Sequence, residues 1–121
     1  MLLSLNIIEN IALIQEVHQN ISVNKAENLA KESLSKIGLE DISLLNITQC
    51  SSEELFYSML VRAMMCENKT IIIESPYLIS SDNIEFEKVE RLNTDKDIIV
   101  LDIFENKHKY KGFLWDTTRW S

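Results

Sequence analysis

The stretch that decides the fold reads SSEELFYSMLVRAMMCENKTIIIESP and runs from Ser51 to Pro76. Ser51 followed three residues later by Glu54 has the spacing of a capping box, which closes the start of a helix. Apolar residues then recur at helical spacing and predict a helix with a wide buried face. The β-branched run from Thr70 to Ile73 is too short for a helix, so it predicts a fully buried strand.

Two adjacent apolar strips run along that helix, and we expect both to be buried. The first is Leu55, Met59, Ala63 and Cys66, and the second is Phe56, Leu60 and Met64. Met59, Met64 and Met65 could instead face a partner, because methionine-rich surfaces adapt to varied ligands. Their helical spacing with Leu and Phe favours a place in the core.

Two helices are predicted before this stretch. Apolar residues at three- and four-residue steps predict the first over residues 6–18. Asn24 and Glu27 have capping-box spacing and predict the start of the second, while Gly38 stands where a left-handed closing residue is needed. Residues 40–50 have no regular period and predict a loop with a helical turn.

From Thr70 onward the sequence predicts a strand, a helix and a second strand in turn. Asp82 can cap a shorter helix that ends at Leu92. Residues 97–104 contain IIVLDIF and predict a second buried strand, and residues 110–115 predict a third strand at the sheet edge. This order favours parallel pairing through a crossover connection.

The predicted fold class is therefore α/β, in a single domain over residues 1–121. Residues 1–68 make a helical layer of about three helices. Residues 69–121 make a small, mostly parallel sheet of two or three strands with one crossover helix. Such a sheet needs cover on both faces, which the helical layer or a partner chain is expected to supply.

Charge and composition exclude several classes of function. The 121 residues include 12 basic and 19 acidic side chains, for a net charge of −7. No cluster of Lys and Arg is interleaved with aromatic residues, so no nucleic-acid partner is expected. With two glycines and one proline, the chain contains neither of the common glycine-rich phosphate loops.

The start of the chain and its few cysteines predict a cytoplasmic protein. Residues 1–10 lack a basic leader, and Glu9 interrupts their apolar run well short of a membrane span. Cys50 and Cys66 are isolated, and the histidines, His18 and His108, have no ligand-type neighbour. We expect reduced thiols, no metal and no direct membrane insertion, with a partner able to hold the chain at the inner face of the membrane.

Several short sequence motifs, in the same order along the chain, resemble the part of an ABC transporter ATP-binding domain that follows its Q-loop. LSLNIIENIAL at residues 3–13 resembles the opening of that family's helical subdomain, and KIGLED at residues 36–41 resembles the end of a following helix. CSSEE at residues 50–54 occupies the position of the family's signature motif, LSGGQ. VRAM at residues 61–64 corresponds to the family's ARAL, and ESPY at residues 74–77 corresponds to its DEPT. The resemblance covers residues 3–82 and implies a partial P-loop ATPase core.

At the signature-like residues the resemblance implies lost function. Of Ser51, Ser52, Glu53 and Glu54, only Ser51 keeps the family's residue type, and the two glutamates would repel a triphosphate. Ser51 with Glu54 is also an ordinary helix cap, which we favour over a remnant phosphate contact.

At the Walker-B-like residues the picture is similar. Glu74 replaces the aspartate that organises Mg²⁺, and Ser75 replaces the glutamate that polarises water, so an anionic base is missing. Ile103 stands where the switch histidine is expected, and the phosphate-loop half has no counterpart. For Glu74 itself, a hydrogen-bonded strand-end carboxylate is favoured over a metal ligand.

Large side chains gather near the C-terminus, at Tyr110, Phe113, Leu114, Trp115 and Trp120. They either close over the open face of the sheet or form a partner-binding patch, and the sequence does not favour one over the other.

The preferred hypothesis is a catalytically inactive ABC-ATPase-like binding or scaffold subunit without a cofactor. Its implied partners are an ABC permease, an intact ATPase subunit, or a second copy in a homodimer. One alternative is an active ABC ATPase, using ATP and Mg²⁺, completed in trans by a separate phosphate-loop chain. Another is an independent small α/β protein-interaction module.

Overall fold

The computed structural model describes residues 1–77, 84–93 and 95–110. The helices are α1 (Ile7–His18), α2 (Val23–Lys36), α3 (Ser52–Met64) and α4 (Phe86–Leu92), and the strands are β1 (Thr70–Glu74) and β2 (Asp97–Leu101). Short 3₁₀ segments span Glu40–Ile42, Ile47–Gln49 and Phe104–Tyr110. The predicted fold class is confirmed, because a helical layer leads into a small parallel sheet with α4 between its strands.

Some predictions fall on residues outside the described part. They concern the Asp82 cap and most of the edge strand predicted at residues 110–115. Tyr110 itself lies at the end of the last 3₁₀ segment. None of the helices in the described ranges is long and apolar enough to span a membrane.

Local side-chain caps define where the first helices begin. At α1 the Asn6 side chain accepts from the Glu9 N–H at 2.8 Å, and the Glu9 carboxylate accepts from the Asn6 N–H at 2.9 Å. The predicted cap of α2 was wrong, since Ser22 is the N-cap residue and Asn24 lies inside the helix. A serine hydroxyl can cap the helix alone, without a returning glutamate at the third position.

The end of α2 is closed by Gly38, as predicted. Gly38 has a φ of 72°, its N–H donates to the Ser35 carbonyl at 3.1 Å, and the Leu39 N–H donates to the Leu34 carbonyl at 2.9 Å. This pair of bonds is a Schellman motif, which satisfies carbonyls that the helix itself leaves open. Leu39 then packs against the core.

The core joins α1, α2 and α3 to one face of the sheet, which carries Ile71 and Ile73 and which we call the inner face. Its most buried members are Ile7, Ile11, Ala30, Leu34, Tyr57 and Val61. The face of α3 predicted from Leu55, Met59, Ala63 and Cys66 is wrong, because those residues are half-buried or, for Met59, 48% exposed. The buried face is centred on Phe56, Tyr57, Leu60 and Val61, so Phe56 and Leu60 of the second predicted strip are confirmed as buried.

Tyr57 explains why α3 buries this face and not the face predicted from Leu55, Met59, Ala63 and Cys66. The Tyr57 hydroxyl accepts a hydrogen bond from the Glu85 N–H at 2.8 Å, so the whole ring can be buried without leaving a polar atom unsatisfied. Of the three methionines predicted to be core, Met65 is buried, Met64 is half-buried and Met59 is exposed.

The two strands pair in parallel, with a register from Thr70 opposite Asp97 to Glu74 opposite Leu101. Ile71 and Ile73 are buried, but Ile72 is 61% exposed. On β2 the outward residues Ile99 and Leu101 are 46% and 50% exposed. The prediction of two fully buried strands was therefore wrong, because none of the described helices covers this side.

We call the uncovered side the outer face of the sheet. It consists of Thr70, Ile72, Glu74, Asp97, Ile99 and Leu101.

Candidate functional site at the carboxyl edge of the sheet

The carboxyl ends of β1 and β2 lie side by side, which is where open α/β sheets usually bind ligands. Glu74 is the last residue of β1 and pairs with Leu101. The Ser75 N–H donates to the Leu101 carbonyl at 2.7 Å, so both strands end at one edge. The Walker-B-like residues Glu74 and Ser75 thus share this edge with Asp102, which follows β2.

Ser75 has an uncommon backbone conformation. Its φ is 47°, in the left-handed region that residues with a Cβ seldom occupy. Pro76, directly after it, is among the most buried side chains of the chain. The strand therefore turns sharply at Ser75, and the packing of Pro76 holds the turn in place.

Asp102 is the most heavily hydrogen-bonded carboxylate at this edge. The Tyr110 hydroxyl donates to its Oδ2 at 2.6 Å, while the Ile103 N–H and the Asn106 amide donate to its Oδ1 at 2.7 Å and 3.0 Å. Asp102 was not predicted as a site residue, although an acid directly after a β-branched run was a usable signal. Its contacts show that it organises the segment up to Tyr110.

These contacts shift two pKa values in opposite directions. Burial alone would raise the pKa of Asp102, but the hydrogen bonds from Tyr110, Asn106 and the Ile103 N–H, with the charge of Lys109, lower it overall. Burial, followed by the hydrogen bond to Asp102, raises the pKa of Tyr110. Asp102 is therefore an anion that accepts, and Tyr110 a phenol that donates.

An acid titration should reveal this carboxylate. Because the folded-state pKa of Asp102 is lowered, its contribution to stability is present above the pKa of the unfolded chain and is lost as the pH falls through the folded value. We expect Asp102→Asn to be less stable than wild type at neutral pH and to approach it in acid, as measured by urea unfolding at several pH values. The exposed residue Asp41 offers a control, since Asp41→Asn removes a carboxylate of the same type without touching the hydrogen bonds of Asp102.

Three aromatic rings pack beside this edge. The ring centroid of Tyr110 lies 5.9 Å from that of Tyr77 and 5.2 Å from that of Phe86, and the Lys109 ammonium lies 4.3 Å from the centre of the Tyr77 ring. Tyr110, predicted as a partner-binding residue, is thus half-buried in contacts within its own chain. Phe113, Trp115 and Trp120, predicted with it, lie outside the described residues.

A groove of about 610 Å³ runs between α4 and β2. Its walls include Val89, Ile98, Val100 and Ile103, and Asp102 and Tyr110 lie at one end. The groove is largely apolar, so it suits an apolar side chain or chain segment more than a charged metabolite.

The signature-like residues form a helix cap. The Ser51 hydroxyl accepts from the Glu54 N–H at 3.1 Å, and the Glu54 carboxylate accepts from the Ser51 N–H at 2.8 Å. Ser52 and Glu53 follow in the first turn of α3, exposed and half-buried respectively. The start of α3 therefore already holds a carboxylate of its own chain where an anion would otherwise bind.

Potential metal ligands are scattered. Across residues 1–77, 84–93 and 95–110, no group of three or more His, Cys, Asp or Glu side chains could hold a metal ion. Glu74 is exposed, and its carboxylate has no hydrogen-bond partner among the described residues, so the predicted hydrogen-bonded strand-end carboxylate was wrong. Cys50 lies near Glu54, and burial together with that charge raises the pKa of its thiol, so it is not an activated nucleophile.

No protein-family model and no curated protein matches this sequence. The function inferred below therefore depends on the geometry of the sheet and on the sequence resemblance.

Proposed function

We propose that this chain is a catalytically inactive, ABC-ATPase-like binding or scaffold subunit. It works in the cytoplasm and associates with an ABC permease or an intact ATPase subunit. The observation that carries this proposal is the apolar outer face of the sheet, where Ile72, Ile99 and Leu101 remain about half exposed.

Exposure of these three side chains favours a binding function. Parallel sheets are normally covered on both faces, and burying a side chain of this size contributes about 1.5–3 kcal/mol. Ile72, Ile99 and Leu101 are adjacent on the outer face and make an apolar patch, and such patches commonly mark protein contacts.

The residues where the family would perform catalysis support an inactive protein. Ser75 has a hydroxyl that cannot serve as an anionic base at neutral pH, and its left-handed φ ends the strand. At the other candidate position, Glu54 and Glu53 would meet a phosphate with like charge. The order of α3, β1, α4 and β2, with parallel strands, agrees with the resemblance.

The experiment is a thermal melt of the purified chain with and without Mg-ATP. We expect no change in melting temperature, because neither phosphate cradle nor metal-ligand set is present among the described residues. A ligand at a hundred times its dissociation constant would add about 2.7 kcal/mol to the free energy of unfolding, which a melt would register readily. A known P-loop ATPase in the same buffer is the positive control.

A rise in melting temperature would contradict the proposal. If the rise were lost in Glu74→Gln, the chain would instead bind Mg-ATP at the carboxyl edge, as the alternative of an ATPase completed in trans requires.

A further inference from the structure

We propose that the outer face of the sheet binds an amphipathic helix of a partner protein, with basic residues at both ends of its apolar stripe. This inference rests on the proposed binding function and specifies the chemistry of the partner. It follows from three properties of the face, which are its pattern of side chains, its charges and its architecture.

The register places the apolar residues between two carboxylates. Asp97 begins β2 at one end of the outer face, and Glu74 ends β1 at the other end, opposite Leu101. Ile72 and Ile99 are direct neighbours between them. The outer face is therefore an apolar centre with one acid at each end.

Both acids are available to a partner. Glu74 and Asp97 are exposed, and neither carboxylate has a hydrogen-bond or ion-pair partner within the described ranges. The basic side chain next to Asp97 is already used, since the Lys96 ammonium donates to the carbonyls of Cys66 and Asn68. Lys69 precedes β1 but, by strand alternation, belongs to the opposite side from Thr70.

The segment that follows β2, beside the outer face, carries charges of both signs. Lys107 lies over the Phe104 ring at 4.9 Å, and Glu105 is a nearby acid in the same segment. With a net charge of −7 on the whole chain, long-range attraction also favours a basic partner.

Architecture favours a helix as the occupant. Helices cover both faces of parallel sheets in α/β proteins, and buried residues of α3 and α4 already share one core with the inner side of the sheet. Asp97 and Leu101 are four residues apart, which is about 13 Å along a strand. On a helix the same distance corresponds to roughly 8–9 positions, and residues 7 or 8 positions apart lie on one face.

The test uses two synthetic helical peptides and the full chain. Both carry leucines at i, i+3, i+4 and i+7, flanked at each end by lysines in one peptide and by glutamates in the other. We expect the lysine peptide to bind at least about tenfold more tightly in low salt, measured by fluorescence anisotropy, with a smaller ratio in high salt. The double variant Glu74→Lys with Asp97→Lys should reverse the preference.

Matched variants test whether the peptide binds to the outer face or elsewhere on the surface. Ile72→Thr with Ile99→Thr keeps β-branched residues in the strands, so the chain should fold and lose peptide binding. Val17→Thr, at a 65% exposed position on α1, should bind like wild type. Circular dichroism and a melt confirm that each variant is folded.

Several results would overturn the inference. They are absence of binding by both peptides, equal binding of both, or a charge-reversal variant with an unchanged preference. A wild-type dimer in analytical ultracentrifugation that the double threonine variant dissociates would make the occupant a second copy instead. The Mg-ATP melt is independent of these results, so a failed helix site and a failed proposed function can be told apart.

Discussion

Replacement of Tyr57 by alanine is expected to lower the free energy of unfolding by about 3–5 kcal/mol, the range for large aromatic residues in a core. The Tyr57 side chain is 1% exposed and packs edge-to-face on Phe56, with ring centroids 5.3 Å apart. Its hydroxyl accepts from the N–H of Glu85, the residue before α4. One side chain thus fills the core and joins α3 to α4.

Tyr57→Phe is the matched control for this effect. It keeps the ring but leaves the Glu85 N–H without its partner, at a cost of about 1–3 kcal/mol. Both values are measured by urea unfolding. If alanine and phenylalanine cost the same, the ring contributes nothing, and the described packing of α3 would be wrong.

A second large effect is expected for Lys96→Met, a loss of about 2–3 kcal/mol in the free energy of unfolding, since two charge-assisted hydrogen bonds disappear. The Lys96 ammonium donates to the Cys66 carbonyl at 2.6 Å and also to the Asn68 carbonyl. Methionine keeps most of the chain length, so packing changes little. These carbonyls lie just beyond α3, where no glycine closes the helix.

Lys31→Met provides the comparison, because Lys31 is an exposed lysine of α2. It should change stability by less than about 0.5 kcal/mol, as surface substitutions usually do. Equal effects of the two substitutions in urea unfolding would show that Lys96 acts through net charge and not through its two carbonyl contacts.

The parts of the fold that local chemistry controls could be predicted from the sequence. The caps at Asn6 and Ser51 join residues three apart, and Gly38 closes α2 through its own φ. On α3, helical spacing predicted Phe56 and Leu60 of the buried face but not Tyr57, whose burial depends on its contact with Glu85, 28 residues away. Helical periodicity alone treats a tyrosine with a partner and one without as equal.

In the strands and the candidate site, too, local features could be predicted from the sequence and long-range contacts could not. β-Branched runs predicted β1 and β2, although β2 ends at Leu101 and not at Phe104. Whether one face or both are buried depends on which helices pack there. Glu74 and Ser75 were expected at a strand end and lie there. Asp102 was missed because its importance comes from Tyr110 and Asn106, which reach it only after the chain turns.

The end of α3 ties distant parts of the chain to one another. The Met65 carbonyl accepts from Gln15 on α1 at 3.3 Å and from Gln19, directly after α1, at 2.9 Å. The Cys66 and Asn68 carbonyls accept from Lys96 ahead of β2. Each of these donors lies at least 28 residues from its acceptor. Neither half of the chain can therefore complete this helix terminus by itself, and loosening either half exposes polar groups in the other. Because of this mutual dependence, we expect the two halves to unfold as one cooperative unit.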